Sequence, residues 1–99
     1  MSLRKIVTGV VLDEVTLDRG ELAQACSVEI LWVVERVEAG LLGSSAQAAR
    51  FSSAELQRAR RLLAIERDFD ANPELAALVV DLIEEVAQLK NQLKLARLR

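Results

Sequence analysis

Between Asp18 and Leu42 the chain reads DRGELAQACSVEILWVVERVEAGLL, and this stretch leaves few folds open. Asp18 offers a carboxylate to free backbone N–H groups, and Glu21 follows at capping-box spacing, so a helix starts here. Leu22, Ala25 and Cys26 fall at i, i+3 and i+4 and predict its buried face. Ser27-Val28-Glu29 reads as a turn. A second helix follows within Val28–Ala39, with Ile30, Val33, Val34 and Val37 along one side and Gly40 as its stop. Two short helices about a tight turn make a helix-turn-helix.

The chemistry of the second helix sets the functional question. In a DNA-binding helix-turn-helix this helix enters the major groove. Duplex DNA is a dense line of negative charge, so binding depends on Lys and Arg that neutralise phosphates. Here the helix carries Glu29, Glu35 and Glu38 against a single Arg36. An acidic recognition helix suits a protein partner better than a nucleic acid.

Before this motif, Ile6 to Val15 is β-branched and apolar, and it predicts one strand ending near Leu12. After it, Gly43 to Ala49 (GSSAQAA) is an uncharged polar loop at the position of a wing. Arg50-Phe51 then returns as a short strand, pairing with the first strand or with Leu41-Leu42. Ser52 or Ser53 caps a third helix that runs to about Phe69. Leu56, Ala59 and Leu63 form one apolar line on it, and Leu62, Ile65 and Phe69 a neighbouring one. Arg58, Arg60, Arg61 and Arg67 make this helix basic. Asn72 is the expected N-cap of the next helix, and Pro73 suits its first turn.

The last helix extends from Pro73 to near the C-terminus. Leu75, Val79, Leu82, Val86, Leu89, Leu93 and Ala96 repeat at alternating spacings of four and three, which is a coiled-coil seam. Leu78, Ile83 and Ala87 widen the stripe at its start, so that end is expected to pack on its own domain while the far end meets a second chain. Asp68, Asp70, Glu74, Asp81, Glu84 and Glu85 precede Leu89 with no base among them, whereas Lys90, Lys94, Arg97 and Arg99 follow it with no acid. The segregation suits the helix dipole. It also favours an antiparallel homodimer, in which each basic end lies beside the partner's acidic start. Val86, Leu89, Leu93 and Ala96 are the predicted dimer contacts.

Composition narrows the function. The 99 residues bear a formal charge of −2, and 52% are apolar with three aromatics, as expected of packed helices in a single domain. No apolar run approaches the roughly 18 residues of a membrane span, and Ile6 to Leu12 is too short and interrupted for a signal-peptide core. One cysteine forms no internal disulfide, in keeping with a reducing cytoplasm. With no histidine and one cysteine, the usual zinc sets and a histidine general base are missing. No Gly-rich phosphate loop is present. The expectation is a non-enzymatic cytoplasmic protein without a cofactor.

The order of these parts resembles the MerR-like winged-helix class. The residues that carry the likeness are Glu21-Leu22-Ala23-Gln24-Ala25-Cys26-Ser27-Val28, then Gly40-Leu41-Leu42, then Phe51-Ser52-Ser53-Ala54-Glu55-Leu56. The resemblance implies a mainly α fold: a MerR-like winged helix-turn-helix with a short N-terminal β-strand and a long C-terminal coiled-coil helix. Its parts would be a strand region at 1–17, the helix-turn-helix at 18–42, a wing-like loop at 43–51, a third helix at 52–69 and a dimerisation helix at 73–98. Within that class the chain is similar to the CbpM family of chaperone modulators. Cys26 before the turn, Arg50-Phe51-Ser52 before a basic third helix, and Leu82-Ile83-Glu84-Glu85-Val86-Ala87-Gln88-Leu89-Lys90 carry this likeness; Ala49 stands where such relatives often have Trp. MerR-like DNA binders usually carry an Arg-Tyr-Tyr-type run in the recognition helix, and Val34, Glu35 and Arg36 occupy that place here.

This resemblance implies binding to the J-domain of a CbpA-like or DnaJ-like co-chaperone, which would block its stimulation of a DnaK-type chaperone. The second helix of a J-domain is basic, so an acidic surface would compete for it, and complementary charge speeds and selects such an encounter. The candidate partner residues are Trp32, Glu35, Arg36 and Glu38 on the second helix, with Asp81, Glu84 and Glu85 on the last. Trp32 serves either as a partner-facing anchor or as a cover on the domain's own core, and each Glu pair either as a contact or as a solvated face. Cys26 is expected to be a small buried residue. The Arg58, Arg60 and Arg61 cluster is the strongest case for the alternative function, a MerR-like DNA-binding transcription regulator.

Overall fold

The computed structural model describes residues 16–98. Among them are four α-helices: α1 (Arg19–Cys26), α2 (Ile30–Glu38), α3 (Ser53–Asp68) and α4 (Pro73–Arg97). The strand expected at Ile6 to Val15 lies outside the described residues. The described chain forms two compact units, one through Arg60 and one from Arg61 onward.

In the first unit, helix ends are fixed by local chemistry. The Asp18 carboxylate accepts the Glu21 N–H at 2.8 Å, and Glu21 Oε1 accepts the Asp18 N–H at 2.8 Å, a complete capping box. α1 ends where Ser27 enters the left-handed region (φ 58°), and the Val28 N–H reaches back to the Ala23 carbonyl at 3.0 Å. α1 packs on α2. Its buried face is Leu22, Ala23 and Cys26, so Ala23 occupies the place expected of Ala25, which is exposed.

α2 begins at Ile30, two residues later than the sequence suggested, because Val28 and Glu29 are still part of the turn. It stops at a Schellman arrangement: Gly40 takes φ 79°, its N–H donates to Val37 O at 3.0 Å, and the Leu41 N–H donates to Arg36 O at 2.9 Å. Val33 and Val37 are fully buried. Ile30, expected on the same face, is 52% exposed, since it sits at the first turn beyond the packed stretch.

The loop after α2 is pinned rather than free. Leu42 and Ala48 are buried, and Arg19 Nε donates to the Ala48 carbonyl at 2.9 Å. Gly43 sits at φ 86°, and a Cβ there would lie 2.8 Å from Ala48 Cβ and 3.2 Å from Phe51 Cε1. Phe51 does return, as expected, but as an isolated antiparallel bridge to Leu17 rather than a strand, with N–H···O bonds of 2.9 and 2.8 Å. Its ring is fully buried. Ser52 is the cap of α3: its hydroxyl accepts the Glu55 N–H at 3.3 Å, and Glu55 Oε1 accepts the Ser52 N–H at 3.0 Å.

In the second unit α3 ends one residue short of Phe69, and Asp70 takes a left-handed φ of 51°. Asn72 Oδ1 then accepts the Leu75 N–H at 2.8 Å, with Pro73 in the first turn of α4. α4 buries Ala76, Ala77 and Val80. That is not the predicted stripe: Leu78 and Ile83, expected to pack at home, are exposed, and so is Ala87. The helix buries small side chains and turns the leucine-rich heptad face outward. At 100° per residue the two faces lie on nearly opposite sides of α4. Arg61 Nη1, midway along α3, lies 4.0 Å from Glu84 Oε2 of α4.

Candidate functional site

α2 brings together three of the four residues predicted on it. The Arg36 guanidinium lies over the Trp32 ring, 4.7 Å from its centre, and Arg36 Nη1 donates to Glu35 Oε1 at 3.2 Å. Stacking on an indole face and a carboxylate at the rim both favour a guanidinium in this place. The Arg36 side chain is 12% exposed, whereas that of Glu35 is 58% exposed. Glu38 is exposed one turn further on. The single cation of the helix is thus engaged by its own neighbours. What faces water is acid and hydrocarbon.

Helix geometry explains why. Val33 and Val37 face inward, so residues two before and two after Val33 face out. Leu31, Glu35 and Glu38, at i, i+4 and i+7, share that outward line, with Trp32 half-buried on its flank. Leu31 is 60% exposed. Neither Leu31 nor Ile30 was singled out from the sequence as a contact residue. The signal was available: Ile30-Leu31-Trp32 is a run of three apolar residues, and a helix with a period of 3.6 cannot turn all three to one core.

The acids predicted on α4 have different surroundings. Asp81 and Glu85 are exposed and four residues apart. Glu84 is half-buried beside Arg61, so it takes part in holding its own unit together. The predicted dimer residues Val86, Leu89, Leu93 and Ala96 are all exposed in the single chain. Val79, Leu82, Ile83, Val86, Ala87 and Lys90 line an open apolar groove along α4.

Two of the basic residues of α3 have partners within their own unit. Arg58 Nε donates to the Leu41 carbonyl at 2.9 Å, closing the end of the helix-turn-helix. Arg61 pairs with Glu84, and Arg60 lines a shallow polar hollow with Ser53 and Gln57. At the end of the loop after α2, Arg50 holds Thr16, with contacts of 2.8 and 3.1 Å to its hydroxyl. Cys26 is a buried free thiol, as expected; burial raises its pKa, and the Arg60 charge opposes this only in part. Among the described residues no three His, Cys, Asp or Glu side chains gather as a metal site.

A family model described as MerR HTH family regulatory protein matches residues 17–98. Comparison with curated proteins and with solved structures gives no match. The matched span takes in the helix-turn-helix, the pinned loop, α3 and α4. The chain belongs to the MerR HTH family of regulatory proteins.

Proposed function

We propose that this chain is a non-enzymatic modulator that binds the J-domain of a CbpA-like or DnaJ-like co-chaperone and inhibits its stimulation of a DnaK-type chaperone. The observation that carries the reading is the state of α2. On a MerR scaffold this is the helix that would read DNA, yet its one cation is committed to Trp32 and Glu35, leaving Glu35 and Glu38 toward water. Phosphate contacts need cations available at the surface. A basic helix of a protein partner meets the opposite requirement. The sequence likeness to the chaperone modulators supplies the identity of that partner.

The proposal includes a homodimer, joined by antiparallel α4 helices, working in the cytoplasm. The exposed heptad seam supports the dimer, because a run of outward leucines and valines on one helix is costly to leave in water. Among the described residues no helix is long and apolar enough to cross a membrane.

The test is calorimetric titration of the protein with an isolated, folded J-domain from the same organism's CbpA-like co-chaperone. Saturable binding at micromolar affinity or tighter is expected, together with a fall in J-domain-stimulated ATP hydrolysis by the DnaK-type chaperone. No binding overturns the proposal. A gel-shift with duplex DNA at low and moderate salt covers the transcription-regulator alternative, for which the same titration would be silent.

A further inference from the structure

The outward line of α2 has a composition that specifies more than an acidic patch. We infer that Leu31, flanked by Ile30 and rimmed by Glu35 and Glu38, is the apolar anchor of the docking face, and that its occupant is an amphipathic helix with Lys or Arg beside an apolar stripe. The inference deepens the co-chaperone reading and rests on it.

Three observations support the assignment. First, Leu31 and Ile30 are 60% and 52% exposed at the first turn of a helix whose other side is fully packed. Covering such half-exposed apolar side chains removes hydrocarbon from water and favours association. Second, the charge around them has one sign. Glu29, Glu35 and Glu38 are exposed, and the neighbouring Arg36 is largely shielded, stacked on Trp32 and paired with Glu35. A partner with bases at matching spacing gains two or three attractions there, whereas an acidic partner is repelled. Third, the face is one straight helical ridge. Leu31, Glu35 and Glu38 span two turns, or about 10 Å. A second helix laid along it brings side chains of its own at the same i, i+4, i+7 spacing.

The Trp32–Arg36 pair has a supporting part in this account. It fixes the flank of the ridge and keeps the one positive group from facing the incoming bases. Sequence reasoning placed Trp32 and Arg36 themselves among the contacts; the geometry moves the primary contact one residue, to Leu31.

The experiment is titration of the isolated J-domain against three forms of the full chain: wild type, Leu31→Asp, and the double variant Glu35→Lys/Glu38→Lys. All three substituted side chains are exposed, so the fold is retained, as checked by helical circular dichroism and melting temperature. Each variant is expected to bind about tenfold weaker or worse, the loss typical of a central contact residue. Raising salt should weaken the wild type several-fold and weaken Leu31→Asp at least as steeply, because it adds a carboxylate to the face, while the double variant loses most of the dependence. Should Leu31→Asp fold poorly, Leu31→Ala and the charge variant carry the test. Unchanged affinity in both surface variants, with the wild type binding, overturns the docking face and leaves the co-chaperone reading standing. No binding by the wild type overturns both.

Discussion

The Arg36 guanidinium lies 4.7 Å from the centre of the Trp32 ring and donates to Glu35 on the side facing solvent. One stacked cation therefore decides what α2 shows to the outside. An Arg in the recognition helix of a DNA binder would be aimed at phosphates or base edges. Here it lies along its own helix, at the i and i+4 positions where side chains meet.

Removing that cation tests its structural role. Arg36→Ala should lower stability by about 0.5–1 kcal/mol, since the stacked pair is partly desolvated while Glu35 is largely in water. Trp32 fluorescence should shift to the red as water reaches the ring. J-domain affinity should hold or rise, because the ridge becomes more acidic. A clear loss of affinity would make Arg36 a contact residue in its own right.

Backbone strain at the turn gives a second prediction. Ser27 holds φ 58°, a region that costs a side-chain-bearing residue energy and glycine almost none. Ser27→Gly should stabilise the fold by about 0.5–1 kcal/mol, read as a higher urea midpoint at constant m-value. Gly43→Ala should act in the opposite sense by about 1–3 kcal/mol, because its Cβ would sit 2.8 Å from Ala48 Cβ at φ 86°.

The seam of α4 predicts an assembly state. Leu89→Glu with Leu93→Glu should give a monomer by sedimentation equilibrium, with the helix-turn-helix unit still folded. An unchanged mass in solution would refute these residues as dimer contacts, even if the protein is a dimer by another route.

Cys26 predicts a pH effect. Its thiol is raised mainly by burial, so the folded state favours the protonated form. That contribution is fully present below the unfolded thiol's pKa of about 8.5 and is lost as pH rises through the higher folded value. Denaturant stability should therefore fall more steeply above about pH 8.5 in the wild type than in Cys26→Ala. Labelling by a thiol reagent should be slow under native conditions and fast in urea. Rapid native labelling would show the site to be open.

Much of the site's chemistry was present in the sequence. Asp18 and Glu21, Asn72 and Pro73, and Gly40 set helix ends through hydrogen bonds and dihedral preferences that act within a few residues, so their spacing alone was sufficient. The acidity of α2 and the heptad of α4 are likewise properties of residue order. The tertiary structure decided which side of each element is used. Packing at close range selected Ala23 over Ala25 on α1, and Ala76, Ala77 and Val80 over the leucine stripe on α4. It also bound Arg36 to Trp32, Arg58 to the Leu41 carbonyl and Arg50 to Thr16, so cations that a sequence can only count were spent on contacts within the chain. Periodicity tells which residues share a face, but which face turns inward depends on the shapes it must fit, and those exist only once the chain has folded.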